Sequence, residues 1–178
     1  MLGIVLQYET VPLPGYTVDL RYVQKYFPNM KICLDEESVR EEIDKKEQLS
    51  FLYYSGHGVS DGAKMPSGSI INWNHLLNRT FHSQNGTAVL DCCDVNFDLP
   101  FKWSGERFRL QSESKAFLPG LVFVLYPKVA KSDIDGSIFS KTLLPYLSSS
   151  RGFDVRKLDN SSNFEIYSSR MGISRFII

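Results

Sequence analysis

Apolar residues in this chain fall into short unbroken runs, and amphipathic stretches lie between them. LGIVLQY (2–8), KICL (31–34), LSFLYYS (49–55), TAVLDCC (87–93), GLVFVLYP (120–127) and NFEIYSSRM (163–171) predict six strands. Between them, YTVDLRYVQKYF (16–27) follows a Pro-Gly turn and places Val18, Tyr22, Val23, Tyr26 and Phe27 at helical spacing. DEESVREEIDKK (35–46) opens with acids and closes with lysines, which suits both ends of a helix. IINWNHLLNR (70–79) predicts a third helix, and DGSIFSKTLLPYL (135–147) a fourth, with Ser137 or Asp135 as its cap. Segment 94–119 reads as a long mixed loop. Alternation of strand and helix predicts one α/β domain with a mostly parallel six-stranded sheet. Strands this continuously apolar fit a sheet with helices on both faces.

Composition narrows the function classes. The chain has 178 residues, 43% hydrophobic and 22% charged, the balance of a globular domain. Lys and Arg match Asp and Glu at 20 each, so no basic footprint points to nucleic acid or to an anionic membrane surface. No apolar run reaches the roughly 18 residues that a membrane span needs. MLGIVLQYE turns acidic too early for a signal peptide and reads as a strand. Three cysteines, two of them adjacent, do not make a disulfide framework; a reducing, cytoplasmic setting is expected. No spacing of Cys, His and Asp suggests a metal site, and nothing calls for a cofactor.

In parallel α/β sheets, functional groups gather beyond the carboxyl ends of the strands. His57, framed by Gly56 and Gly58, follows one such end, and Cys92 and Cys93 follow another. A glycine frame packs an imidazole poorly, but it lets the chain bend and leaves room for a substrate backbone. A free thiol has a pKa near 8.5 and needs a neighbouring base to act as a nucleophile at neutral pH. Gly58 N–H and Cys93 N–H are candidates for an oxyanion hole. Of the two cysteines, alternation sends one inward and one to the opening. Cys33 reads as a small buried hydrophobe, and His75 and His82 as surface or packing residues. The acidic run at 35–47 reads as a solvated helix face.

YYSGHG followed by VLDCC resembles the His and Cys blocks of caspase-like peptidases, above all paracaspases and metacaspases. LPGYTVDLRYVQKYF, LVFVLYPKVAKSDIDGSIFSKTLLPYL and NFEIYSSRM are similar to further family segments, so the likeness runs from residue 2 to about residue 176. It implies a caspase-like fold, with a large-subunit-like part to about residue 100, a loop at 101–119 and a small-subunit-like part at 120–178. It also implies a Cys93–His57 dyad with no third catalytic side chain. The separation of His57 and Cys93 is shorter than the roughly 50 residues of caspases, as a trimmed connection would give.

Caspases select aspartate with arginines and a glutamine two residues before the nucleophile; here Asp91 holds that place. The resemblance to paracaspases implies an acidic pocket of Asp91, Asp19 and Asp133 that takes Arg or Lys before the cut. Carboxylates grouped around one pocket repel unless a cation sits among them, and a guanidinium meets them bidentately. The plainer reading has Asp91 bonding local backbone and Asp19 decorating a helix. Asp94, Val95 and Asn96 replace the His-Ser-Gly run usual after a metacaspase cysteine. Only Asp61 and Asp98 are placed for calcium, which favours the paracaspase side. Lys102, Arg107, Arg109 and Lys115 are possible self-cleavage points, and Phe101, Trp103 and Phe108 possible subsite residues. The C-terminal strand reads as an edge that, by the resemblance, pairs with its copy, either in a homodimer or in a monomer that dimerises on binding substrate. The expected function is a cysteine endopeptidase acting on basic sites in proteins or peptides. The alternative is an inactive pseudoprotease that regulates a partner.

Overall fold

The computed structural model describes residues 1–45, 47–81, 85–96, 99–111, 122–129, 132–149, 153–157, 164–170 and 175–176. β1 (Leu2–Val5) leads through α1 (Tyr16–Tyr26) to β2 (Lys31–Cys33), and α2 (Glu36–Asp44) leads to β3 (Phe51–Ser55). A small antiparallel sheet of β4 (Gly58–Val59), β5 (Gly62–Lys64) and β6 (Ile70–Asn72) runs into α3 (Trp73–Phe81) and then β7 (Gly86–Asp91). The hairpin β8 (Phe101–Trp103) and β9 (Phe108–Leu110) follows, then β10 (Val122–Pro127). A second hairpin, β11 (Ser132–Asp133) and β12 (Gly136–Ser137), opens into α4 (Ile138–Ser149). β13 (Phe153–Asp154), β14 (Phe164–Ser168) and β15 (Arg175–Phe176) complete the described elements.

One mixed sheet of eight strands, in the order β2-β1-β3-β7-β10-β14-β8-β9, organises the chain. β2, β1, β3, β7 and β10 run parallel; β14, β8 and β9 join antiparallel. Alternating side chains divide the interior into two cores. On β3, Leu52 and Tyr54 pack with Val39 and Ile43 of α2 and with Trp73, Leu76 and Leu77 of α3. Phe51 and Tyr53 face the other way, toward Val23 and Phe27 of α1 and Leu143, Leu144 and Leu147 of α4. Both faces are covered, as the continuous apolar runs predict.

Helix ends follow the sequence signals. Asp35 caps α2, its carboxylate accepting from Ser38 N–H at 2.8 Å. Ser137 stands before α4, and its hydroxyl accepts from Ser140 N–H at 3.3 Å. The expected helix at 70–79 begins later: Ile70–Asn72 is a strand, and Asn72 Oδ1 accepts from Asn74 and His75 N–H at the start of α3. The β-branched Ile70–Ile71 pair fits extended backbone better than a helix.

Two expectations are corrected. The sheet has eight strands rather than six, because part of the expected loop at 101–119 is the β8–β9 hairpin. Phe101, Trp103 and Phe108 alternate with polar neighbours; Phe108 is buried in the core shared with α1 and α4, and Phe101 and Trp103, partly buried, pack against it. Trp103 and Phe108 meet edge-on at 5.1 Å. β14 is consequently no edge strand: Tyr167 pairs with Lys102 and Ser168 with Phe101. Lys102 also reaches Glu165 of β14 at 2.7 Å.

Leu144 is fully buried between α4 and the sheet. Leu144→Ala is expected to lose about 3 kcal/mol of stability, read as a lower urea midpoint with an unchanged slope.

Candidate active site

β3 and β7 pair in parallel, and their last rung joins Ser55 to Asp91. His57 and Cys93 each lie two residues beyond that rung, so the two segments leave the sheet side by side.

His57 is held from several sides. Its ring Nε2 lies 2.7 Å from the Val11 carbonyl. A carbonyl only accepts, so Nε2 carries the proton and Nδ1 is left as the basic nitrogen. Tyr8 lies against the ring, with centroids 4.4 Å apart. The Tyr8 hydroxyl accepts from His57 N–H at 2.9 Å and donates to the Lys64 carbonyl at 2.7 Å. The Tyr54 hydroxyl donates to the His57 carbonyl at 2.7 Å. Gln7 Oε1 accepts from Tyr8 N–H and Leu13 N–H, which shapes the loop carrying Val11.

The glycine frame has a steric cause. A Cβ on Gly56 would stand 2.6 Å from both the Tyr8 and Tyr54 hydroxyls. A Cβ on Gly58 would stand 2.3 Å from the Cys93 carbonyl oxygen and 2.8 Å from Cys92 Sγ. The frame brings the two tyrosines against one side of His57 and the cysteine segment against the other.

Cys92 is buried, and burial holds its thiol well above the ordinary range. Cys93 is exposed, and its thiol donates to the Gly58 carbonyl at 3.8 Å. No hydrogen bond joins Cys93 to the His57 ring. Lys64 N–H donates to the His57 carbonyl at 2.9 Å, and Gly58 pairs with Ala63 on the next rung. Antiparallel rungs alternate, so the Gly58 N–H and C=O turn away from β5, toward the side where Cys93 lies. Asp94 follows with φ of 56°, a left-handed turn that Asp tolerates, and redirects the chain just past the thiol.

Asp91, on the last rung of β7, lies within electrostatic reach of Asp19. Asp19 sits in the first turn of α1, and its Oδ1 accepts from Ser137 N–H at 2.7 Å. Asp91 accepts at Oδ2 from the Ser140 hydroxyl. Both carboxylates are buried. Burial raises the Asp91 pKa to about 6, helped by the Asp19 charge and opposed by Ser137 and Ser140. Asp19 is also raised, chiefly by burial; Ser137 N–H and the Lys141 charge oppose this, and Asp133 adds to it. Asp133 is exposed at the end of β11, where Oδ1 accepts from Asp135 N–H of the following turn at 2.8 Å. Asp91 and Asp19 thus form a buried acidic pair, with Asp133 at its rim.

Other expectations fall elsewhere. Cys33 is buried and His75 exposed, as expected. Arg107 and Arg109 are exposed on the β8–β9 hairpin, whereas Lys102 is engaged by Glu165. His82, Asp98 and Lys115 lie outside the described residues. Among the described residues no cluster of three or more His, Cys, Asp or Glu is poised to hold a metal ion. No described helix is long and apolar enough to cross a membrane. The sequence reading missed Val11 and Tyr8. A backbone carbonyl leaves no residue signature, but a tyrosine directly after an apolar strand was visible. No family model matches the chain, and no curated protein sequence matches it significantly.

The acidic pair carries a stability cost. Asp91 has a folded pKa of about 6 against an ordinary 3.8. The folded state therefore binds more protons between those values, and stability falls as pH rises through that window. Asp91→Asn is expected to stabilise the protein at pH 7 by about 2 kcal/mol and to flatten the slope between about pH 4 and pH 6. Urea unfolding across pH checks this; a variant less stable at pH 7 with an unchanged slope would contradict it.

Proposed function

We propose that the protein is a caspase-like cysteine endopeptidase of the paracaspase and metacaspase group, nearer the paracaspases, that cleaves after Arg or Lys. The observation that carries the reading is the Ser55–Asp91 rung, which sets His57 and Cys93 level at adjacent strand ends. The sheet order is consistent with such a fold: five parallel strands are followed by antiparallel β14, with β8 and β9 as an addition.

In this reading His57 Nδ1 takes the Cys93 proton, and the thiolate attacks the scissile carbonyl carbon. The N–H groups of Gly58 and Cys93 receive the developing oxyanion. The imidazolium, steadied by Val11 C=O at Nε2, then protonates the leaving amine. Water attacks the thioester and releases the acid, with His57 again acting as base. The substrate's basic side chain enters beside Asp91 and Asp19, with Asp133 at the rim. A guanidinium there offsets the repulsion of two buried carboxylates.

The action is assigned to protein or peptide substrates in the cytoplasm, where three unpaired cysteines stay reduced. The reading needs no cofactor, nucleic acid or membrane. A homodimer through β14 would first have to displace the β8–β9 hairpin, so the resting protein is read as a monomer that pairs, if at all, on engaging substrate.

One observation favours the second reading, a pseudoprotease. The Cys93 thiol is turned to the Gly58 carbonyl and makes no bond with His57. Catalytic contacts often tighten only when substrate binds, so activity decides between the two.

Short fluorogenic peptides ending in Arg, Lys, Asn or Asp, with and without calcium, test the proposal. Cleavage after Arg or Lys, indifferent to calcium and abolished in Cys93→Ala, is expected. Absence of turnover on every peptide would favour the pseudoprotease.

A further inference from the structure

We propose that Tyr53 and Ser140 are specificity-positioning residues, forming a one-way hydrogen-bond chain that fixes Asp91 to receive a basic side chain. The inference rests on the peptidase reading and adds two residues that the dyad and the acidic pair do not include.

Proton counting sets the direction of the chain. The Ser140 hydroxyl has a single hydrogen, and it goes to Asp91 Oδ2, a carboxylate oxygen that can only accept. The Tyr53 hydroxyl lies 2.7 Å from the Ser140 oxygen, so it must be the donor of that bond. The chain runs from Tyr53 to Ser140 to Asp91, each O–H dipole pointing at the carboxylate. Tyr53 and Ser140 are both fully buried, so neither touches substrate.

The location makes these hydroxyls unusual. Tyr53 faces the apolar core shared by α1 and α4, where phenylalanine would pack as well without needing a partner. Polar groups at such depth are tolerated when every one is paired, and a paired chain confers orientation. Ser140 presents the hydroxyl from the first turn of α4, while Ser137 at the cap holds Asp19 through its N–H. One helix start therefore holds both acids, Asp19 through the Ser137 N–H and Asp91 through the Ser140 hydroxyl, with the Ser137 side chain also on Asp91. The charges facing the pair are Asp133 and Lys141, both acting on Asp19.

The test compares wild type, Ser140→Ala and Tyr53→Phe on peptides ending in arginine or in citrulline, its neutral near-isostere. Ser140→Ala is expected to raise KM for the arginine peptide on the order of tenfold, with kcat and the citrulline peptide changed less than about twofold. Tyr53→Phe, which keeps the ring and the packing, is expected to shift KM the same way by about threefold. Separately, carboxyl-carbon NMR of the intact protein follows Asp91, whose titration is expected to move to higher pH in both variants. Equal losses on both peptides, or an unmoved Asp91 titration, would overturn the positioning role. If wild type cleaves nothing, the peptidase reading fails by itself, and the Asp91 titration still decides whether the chain governs that carboxylate.

Discussion

Ser55 and Asp91 face each other across the last rung of two parallel strands, and the geometry of the site depends on that register. The same rung sends His57 and Cys93 out at the same level and fixes which face each neighbour takes. Tyr54 and Cys92 go to the core under α2 and α3, and Tyr53 to the core under α1 and α4. A slip of one residue would exchange those faces and send each set of side chains into the core shaped for the other. Continuous burial of both strands on both sides is what makes such a slip costly.

Around that rung, polar groups are buried in places where apolar ones would be cheaper. Tyr8 and Tyr54 hold the backbone of His57, Val11 holds its ring, and Ser137 and Ser140 hold the two acids. None of these bonds is needed to form the sheet. Two buried carboxylates side by side oppose folding at neutral pH, a common property of sites that give up stability to bind a charge.

Much of the fold was legible because it rests on long apolar periods. The runs at 51–55, 86–91 and 122–127 leave little choice except buried strands, and Asp35 and Ser137 announce helix starts by their chemistry. The hairpin of Phe101–Trp103 and Phe108–Leu110 was missed because three-residue strands carry too little alternation to stand out from a loop. Its turn contains Gly105 at φ of 97°, a local signal that was present. The strand at Ile70–Asn72 was absorbed into a helix because it is only three residues long and runs directly into α3 at Trp73. At the site, side chains with distinctive chemistry were legible: His57, Cys93, Asp19 and Asp91. Val11 acts through a carbonyl that every residue possesses, and Ser140 through a partner distant in sequence, so neither could be read from one strand or helix alone.

The claim that Cys93 is a nucleophile beside a pocket for a basic side chain is tested most directly by covalent capture. The intact protein is treated with two peptidyl acyloxymethyl ketones, one ending in arginine and one in aspartate, and the adduct is located by peptide mass mapping. The account predicts one arginyl adduct on Cys93, lost in His57→Ala and slowed in Asp91→Asn, with little aspartyl adduct. Equal labelling by both reagents, or an adduct that forms as readily without His57, would contradict it.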